Sequence, residues 1–152
     1  TEIAENAASN WDGPMTQDSP PSIRRINPPE LGVPPGYSQV VDVSASRLVF
    51  VSGQTALDRD GHLVGKNDFA AQAAQVFSNL AIALATSGCT AANLVKLTVF
   101  LTEMNNLALY REARNRFFAS VNPPAAPAVT LVEVSRLYGP DFMIEIEAIA
   151  AA

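Results

Sequence analysis

The chain has 152 residues, 48% apolar and 16% charged, enough to bury the core of one ordinary domain. Its formal charge of −5 argues against nucleic acid as a partner, which would ask for a basic patch. No apolar run reaches the roughly 18 residues of a membrane span, and the single cysteine, Cys89, excludes an internal disulfide and suits a reducing cytoplasm.

Residues 1–22 carry Glu2, Glu5, Asp12 and Asp18 and no base, whereas the rest of the chain holds 11 acids against 10 bases. The acidity is therefore mostly a property of the N-terminal segment. Seven of the 11 prolines fall within the first 35 residues, where fixed φ and missing N–H donors favour extended or irregular backbone. The segment has no basic n-region or apolar h-region, so no secretory signal is expected. We read 1–22 as a flexible acidic arm and 23–152 as one domain without internal repeats.

Regular patterns begin after Gly36. Val40 to Ser44 and Arg47 to Ser52 are β-rich runs separated by a short serine-containing link, which reads as a hairpin; a further strand is expected near Ile23. Asp58-Arg-Asp-Gly61 reads as a turn, since no glutamate follows at the closing position of a calcium loop. Asn67 or Asp68 can cap a helix running to about Ser87, with Gly88 as its stop. On it, Gln72, Gln75, Ser78 and Asn79 mark a wet side, and Phe69, Val76, Leu80 and Leu84 a dry one. The stretch from Leu80 to Ala85 is apolar all round and is expected to be covered.

Val95 to Thr102 alternates as a half-buried strand. A second helix from about Leu107 to Ala119 turns Leu107, Tyr110 and Phe117 inward, with Arg111, Arg114 and Arg116 on its wet side and Glu112 and Arg116 spaced as an i,i+4 pair. Strands over about Ala128–Arg136 and Phe142–Ala150 close the chain. The order predicts an α+β fold, a sheet with two helices on one face. Its strands are apolar on both sides, so the second face needs a cover, and another copy of the chain is the economical one.

Residues with chemistry of their own are few. His62 sits beside a turn, Cys89 has no neighbouring base, and one histidine and one cysteine offer no clustered metal ligands. No glycine-rich phosphate loop and no Gly-x-Ser-x-Gly elbow is present, so neither a metal nor a cofactor is expected. Glu145 and Glu147 lie on one face of the last strand, roughly 7 Å apart, so only one of them points into any small pocket.

Taken as phrases, several segments carry a resemblance: Gly36-Tyr-Ser-Gln39, Leu48-Val-Phe-Val-Ser-Gly-Gln54, Asp68-Phe-Ala-Ala-Gln72, Gln75-Val-Phe-Ser-Asn-Leu80, Val95-Lys-Leu-Thr-Val-Phe-Leu-Thr102, Pro127-Ala128 leading to Val132-Glu-Val134, and Ile144-Glu-Ile-Glu-Ala148. Together they resemble the RidA/YjgF family, also called L-PSP proteins, in the right order over about residues 23–150. The resemblance implies a chorismate-mutase-like fold, a homotrimer and small-molecule clefts between subunits. In archetypal members those clefts hydrolyse enamines and imines, with an arginine clamping the substrate carboxylate and a glutamate positioning water or moving a proton.

Carried over by position, the resemblance places the glutamate on Glu145 and the pocket tyrosine and serine on Tyr37 and Ser52, with Gly53 beside them. The family's asparagine position falls on Arg111. Its arginine position falls on Val129, near Leu131, which implies weak or absent 2-imino-acid deamination and a more apolar cleft. Arg111 is the alternative source of charge. Three functions follow: a divergent imine or enamine hydrolase, a non-catalytic ligand-binding or regulatory trimer, and, disfavoured by the acidic charge, an endoribonuclease.

Overall fold

The computed structural model describes residues 20–152, so all but the last three positions of the expected acidic arm lie outside the described residues. Six strands and two α-helices follow one another as β1 (Ser22–Ile26), β2 (Val40–Ser44), β3 (Leu48–Gln54), α1 (Phe69–Ala85), β4 (Leu94–Leu101), α2 (Leu107–Phe118), β5 (Ala128–Glu133) and β6 (Ile144–Ala151). This is the α+β order read from the sequence, the strand near Ile23 included.

The main sheet runs β3-β6-β4-β5. Only β4 and β5 are parallel, with Leu97 opposite Val129 and Val99 opposite Leu131. A parallel pair needs a crossover, and α2 supplies it. α1 lies across β3 and β6 and packs against α2. Ile144, Ile146, Leu97, Val99 and Leu101 meet Val76, Leu80 and Leu84 of α1 in a fully buried core. Asp68 caps α1 by accepting from the Ala71 N–H, and Gly88, at φ 70°, follows the end of the helix as the stop signal implied. Among the described residues no helix is long and apolar enough to cross a membrane.

Several expectations are corrected. The runs read as a hairpin do not pair with each other: β2 pairs with β1, and β3 pairs with β6. Periodicity reveals which face of a strand is apolar but not which edge finds which partner. Arg47 exchanges both backbone hydrogen bonds with Ala152, which draws β3 onto the end of the chain. The last two strands are shorter than read, with β5 ending at Glu133 and β6 starting at Ile144. On α1 the all-apolar stretch is not covered throughout. Leu80 and Leu84 are fully buried, but Ile82, half a turn away, is 63% exposed. On α2, Glu112 and Arg116 are exposed as expected and form no ion pair among the described residues.

Gln72, assigned to the wet side of α1, is fully buried. Its amide nitrogen donates to Gly65 O at 3.2 Å and Asp141 O at 2.8 Å, and its carbonyl oxygen accepts from Met143 N at 2.9 Å. One side chain thus ties the α1 entry loop to the start of β6. Gln72→Ala is expected to destabilise the fold by about 3 kcal/mol, because it leaves buried backbone groups unpaired and opens a cavity. Urea unfolding measures this; a change within 0.5 kcal/mol would contradict the assigned role.

Candidate functional site

The first group of site residues is built by an irregularity between β3 and β6. Val51 pairs with Ala148 and Gln54 with Ile146, so three steps along β3 match two along β6, and the bulge falls at Ser52 and Gly53. Glu145 pairs with Phe100, between the buried Ile144 and Ile146, and therefore projects from the face of the sheet opposite the helices. The bulge brings the Gly53 backbone against that carboxylate. A Cβ on Gly53 would fall on Glu145 Oε1, 2.9 Å from Cδ and 3.0 Å from Cγ.

Gly53 is thus the residue that leaves room for the Glu145 carboxylate. Gly53→Ala is expected to keep the fold, since a flexible side chain can swing aside, and to move the carboxylate. Loss of Glu145-dependent activity by tenfold or more, with unchanged thermal unfolding, is the expected outcome. Ser52 lines a shallow hollow on the same open face with Lys96, Thr98 and Glu147. Of the two glutamates it is the exposed Glu147 that lines this hollow, while the half-buried Glu145 does not. The open face also carries Phe50, 72% exposed, next to Leu48 at 54%.

The second group lies on the helix side. Val129 and Leu131 pair with the buried Leu97 and Val99, so their side chains share the helix-facing side. The backbone just before β2 adds to the free edge of β5: Ser38 bridges Ala128 in parallel, its N–H donates to Pro127 O at 3.0 Å, and its hydroxyl donates to Ala126 O. This seats Tyr37 beside β5. Tyr37, Arg111, Val129 and Leu131 thereby line one concavity of about 230 Å³, completed by Leu107, Tyr110 and Arg114. Four of the seven site residues are brought together here, and Glu145, Ser52 and Gly53 are not, because the sheet lies between.

Three lining residues, Leu107, Tyr110 and Arg114, are not among the expected site residues. Arg114 was read as part of the wet side of α2, yet it is 5% exposed. It follows Tyr110 by four residues, so the helix turns both onto one face. Its guanidinium donates to Pro35 O at 3.2 Å and to Asn115 Oδ1 at 3.0 Å, and lies 5.7 and 5.9 Å from the ring centres of Tyr110 and Phe118. Tyr110 was read as core and is 1% exposed, but its hydroxyl has no hydrogen-bond partner among the described residues. Burial pushes this phenol up to about 12, against the opposing charge and nearby N–H donors of the Arg114 guanidinium and the charge of Arg111. An arginine one helical turn after an aromatic was the one available signal.

The remaining candidates stand apart from both groups. Asp58 accepts from the backbone N–H of Asp60 and His62, each at 2.9 Å, which makes the turn read from the sequence. The His62 N–H foremost holds the Asp58 carboxyl below its ordinary value. The same turn brings Asp58, Asp60 and His62 ligand atoms within 4.8 Å of one another, a grouping the sequence reading did not make. Cys89 is buried, its thiol 3.6 Å from Ser87 O.

Comparison with known proteins bears on the family and the fold. Residues 30–152 match the family model described as Endoribonuclease L-PSP. The chain is 38% identical to the protein DfrA of Myxococcus xanthus over 116 residues, 76% of this chain and 85% of the relative. It is 37% identical to the 2-iminobutanoate/2-iminopropanoate deaminase of Salmonella typhimurium over 114 residues, 75% of this chain and 85% of the relative. Among solved structures, the Rid-family protein YyfB of Yersinia pestis superimposes with a TM-score of 0.75 at 32% identity, covering 86% of this chain and 98% of that one. The E. coli protein TdcF with bound serine gives a TM-score of 0.64 at 31% identity, over 80% and 91% of the two chains. With the family model spanning most of its length and its fold shared with Rid structures, this chain belongs to the RidA/YjgF family.

Proposed function

We propose that this chain works as a cytoplasmic homotrimer that hydrolyses an imine, enamine or related small metabolite in clefts between subunits, without a metal or cofactor. The observation that carries the reading is the division of the site. Glu145, Ser52 and Gly53 stand on the open face of the sheet, and Tyr37, Arg111, Val129 and Leu131 on the helix side at the β5 edge. A second copy packed on the open face, over Phe50 and Leu48, can bring one group against the other. Sedimentation is expected to give a species of three times the 16.1 kDa chain mass at micromolar concentration; a monomer would sink the cleft.

The chemistry asks little of the protein. A water adds to the C=N carbon as Glu145 accepts one of its protons; the nitrogen, once protonated, leaves as ammonia, and the carbon becomes a carbonyl. The deaminase name of the Salmonella relative and the serine bound to TdcF support a small amino-acid-derived ligand. Val129 removes the charged clamp at β5, so turnover of 2-imino acids is weak or absent. The acidic charge and the lack of a basic patch argue against ribonuclease action.

A second reading, a non-catalytic trimer that binds a ligand without consuming it, draws on the apolar Leu107, Val129 and Leu131 lining. The test generates imines with an amino-acid oxidase and traps survivors with semicarbazide, comparing wild type, Val129→Arg and Arg111→Ala. Little loss with wild type and a gain with Val129→Arg supports a hydrolase site without its clamp, and loss with wild type that Arg111→Ala abolishes places the charge on α2. No loss with any variant, together with stoichiometric ligand binding, supports the second reading.

A further inference from the structure

We propose that α2 carries an anion subsite of its own, formed by the guanidinium groups of Arg114 and Arg111 and the hydroxyl of Tyr110, which holds the carboxylate of a short-chain apolar acid. The inference rests on the reading of this concavity as the substrate cleft, and it names the group that the cleft recognises.

Three observations lead there independently of β5. Arg114 is 5% exposed and forms no ion pair with any carboxylate among the described residues. Its partners are two neutral carbonyl oxygens and two ring faces, which orient a guanidinium but leave its charge uncompensated. The site is also shaped around that charge: a Cβ on Gly36, which has φ 76°, would lie 2.6 Å from Arg114 Nη2, so the backbone approaches the guanidinium as only glycine permits. Second, the Tyr110 hydroxyl is buried beside that guanidinium, its one polar neighbour, and finds no acceptor for its O–H among the described residues, which a buried donor wants. Third, Arg111 adds another charge to the same concavity, and among the described residues no acid lines it.

The three groups are all donors at neutral pH, since the phenol stays protonated well into the alkaline range. Two cations and one hydroxyl ask for an oxyanion. The apolar remainder, Leu107, Val129 and Leu131, and a volume of about 230 Å³ ask that the anion carry a short hydrocarbon chain. An anion held by these groups is anchored from α2 rather than from β5. The consequence of Val129 therefore stands for acids whose carboxylate adjoins the imine carbon, while acids with the two groups further apart are accommodated.

Calorimetric titration of the full chain with butanoate, butanamide and inorganic phosphate tests the inference. Butanoate is expected to bind at least tenfold more tightly than the isosteric neutral amide or phosphate. Tyr110→Phe, which removes only an unpartnered hydroxyl and should fold at least as well as wild type, is expected to weaken butanoate roughly tenfold. Arg111→Met, at an exposed position, should do the same, and Arg114→Gln should abolish binding if it folds. Equal affinity for butanoate and butanamide, a preference for phosphate, or butanoate binding unchanged in both Tyr110→Phe and Arg111→Met would overturn it. Glu145→Gln separates the two proposals, because it should keep butanoate affinity while losing turnover. Butanoate binding without imine hydrolysis by either wild type or Val129→Arg would sink the hydrolase alone; hydrolysis without butanoate binding would sink the subsite alone.

Discussion

Glu145→Gln is expected to lower imine hydrolysis by about 10²–10⁴-fold, the range over which a positioned proton-transfer group accelerates such reactions. The amide is nearly isosteric with the carboxylate but cannot take a proton from water. Glu145 flanks no ion pair among the described residues and sits between two buried isoleucines that hold its strand in register. The substitution should therefore leave both thermal unfolding and the oligomer unchanged. Semicarbazide-trapping rates in a Val129→Arg background, with and without Glu145→Gln, measure the effect, with sedimentation on both. A Glu145→Gln variant that keeps at least half of the Val129→Arg rate would remove Glu145 from the chemistry. A parallel loss of rate and assembly would reduce it to a structural residue.

Val129→Arg is expected to raise 2-imino-acid hydrolysis by roughly 30-fold over wild type. A charge-assisted carboxylate contact of this kind contributes about 2–5 kcal/mol, and the lower end corresponds to that factor. The lower end applies because Arg111 and Arg114 already line the concavity beside Val129, and a third guanidinium is repelled by them. Relieving that repulsion should help, so Val129→Arg with Arg111→Asn is expected to exceed the single variant. An absence of gain in both, with intact folding, would mean that the β5 position no longer faces the reacting group.

Much of the fold was legible because it is written in short-range pattern. Alternation in Val95 to Leu101, the cap at Asp68 and the stop at Gly88 depend on neighbours within one or two turns, and each element appears where that pattern places it. The hairpin between β2 and β3 failed for the complementary reason. Two apolar runs joined by a short link are compatible with pairing to each other or to other strands, and the choice depends on Ala148 to Ala151, about a hundred residues away. Gln72 and Arg114 failed similarly. A polar residue on a helix is read as wet unless its partners are known, and theirs are Gly65, Asp141 and Met143 for one, and Pro35 and two ring faces for the other.

Of the candidate site, the residue types were readable from family-like phrases, but not their division. By itself the amino-acid sequence determined the family, the element order and the absence of an arginine at position 129. The open sheet face, expected to be apolar, instead carries Lys96, Thr98, Glu145 and Glu147 beside Phe50 and Leu48. The tertiary structure alone decided that Glu145 and Val129 stand on opposite sides of one sheet, that a bulge at Gly53 makes room for the carboxylate, and that α2 buries an arginine and a tyrosine beside the β5 edge. Secondary structure and face are set by contacts between near neighbours. The approach of one charged group to another is set by strand register and helix packing, which join residues that the chain keeps far apart.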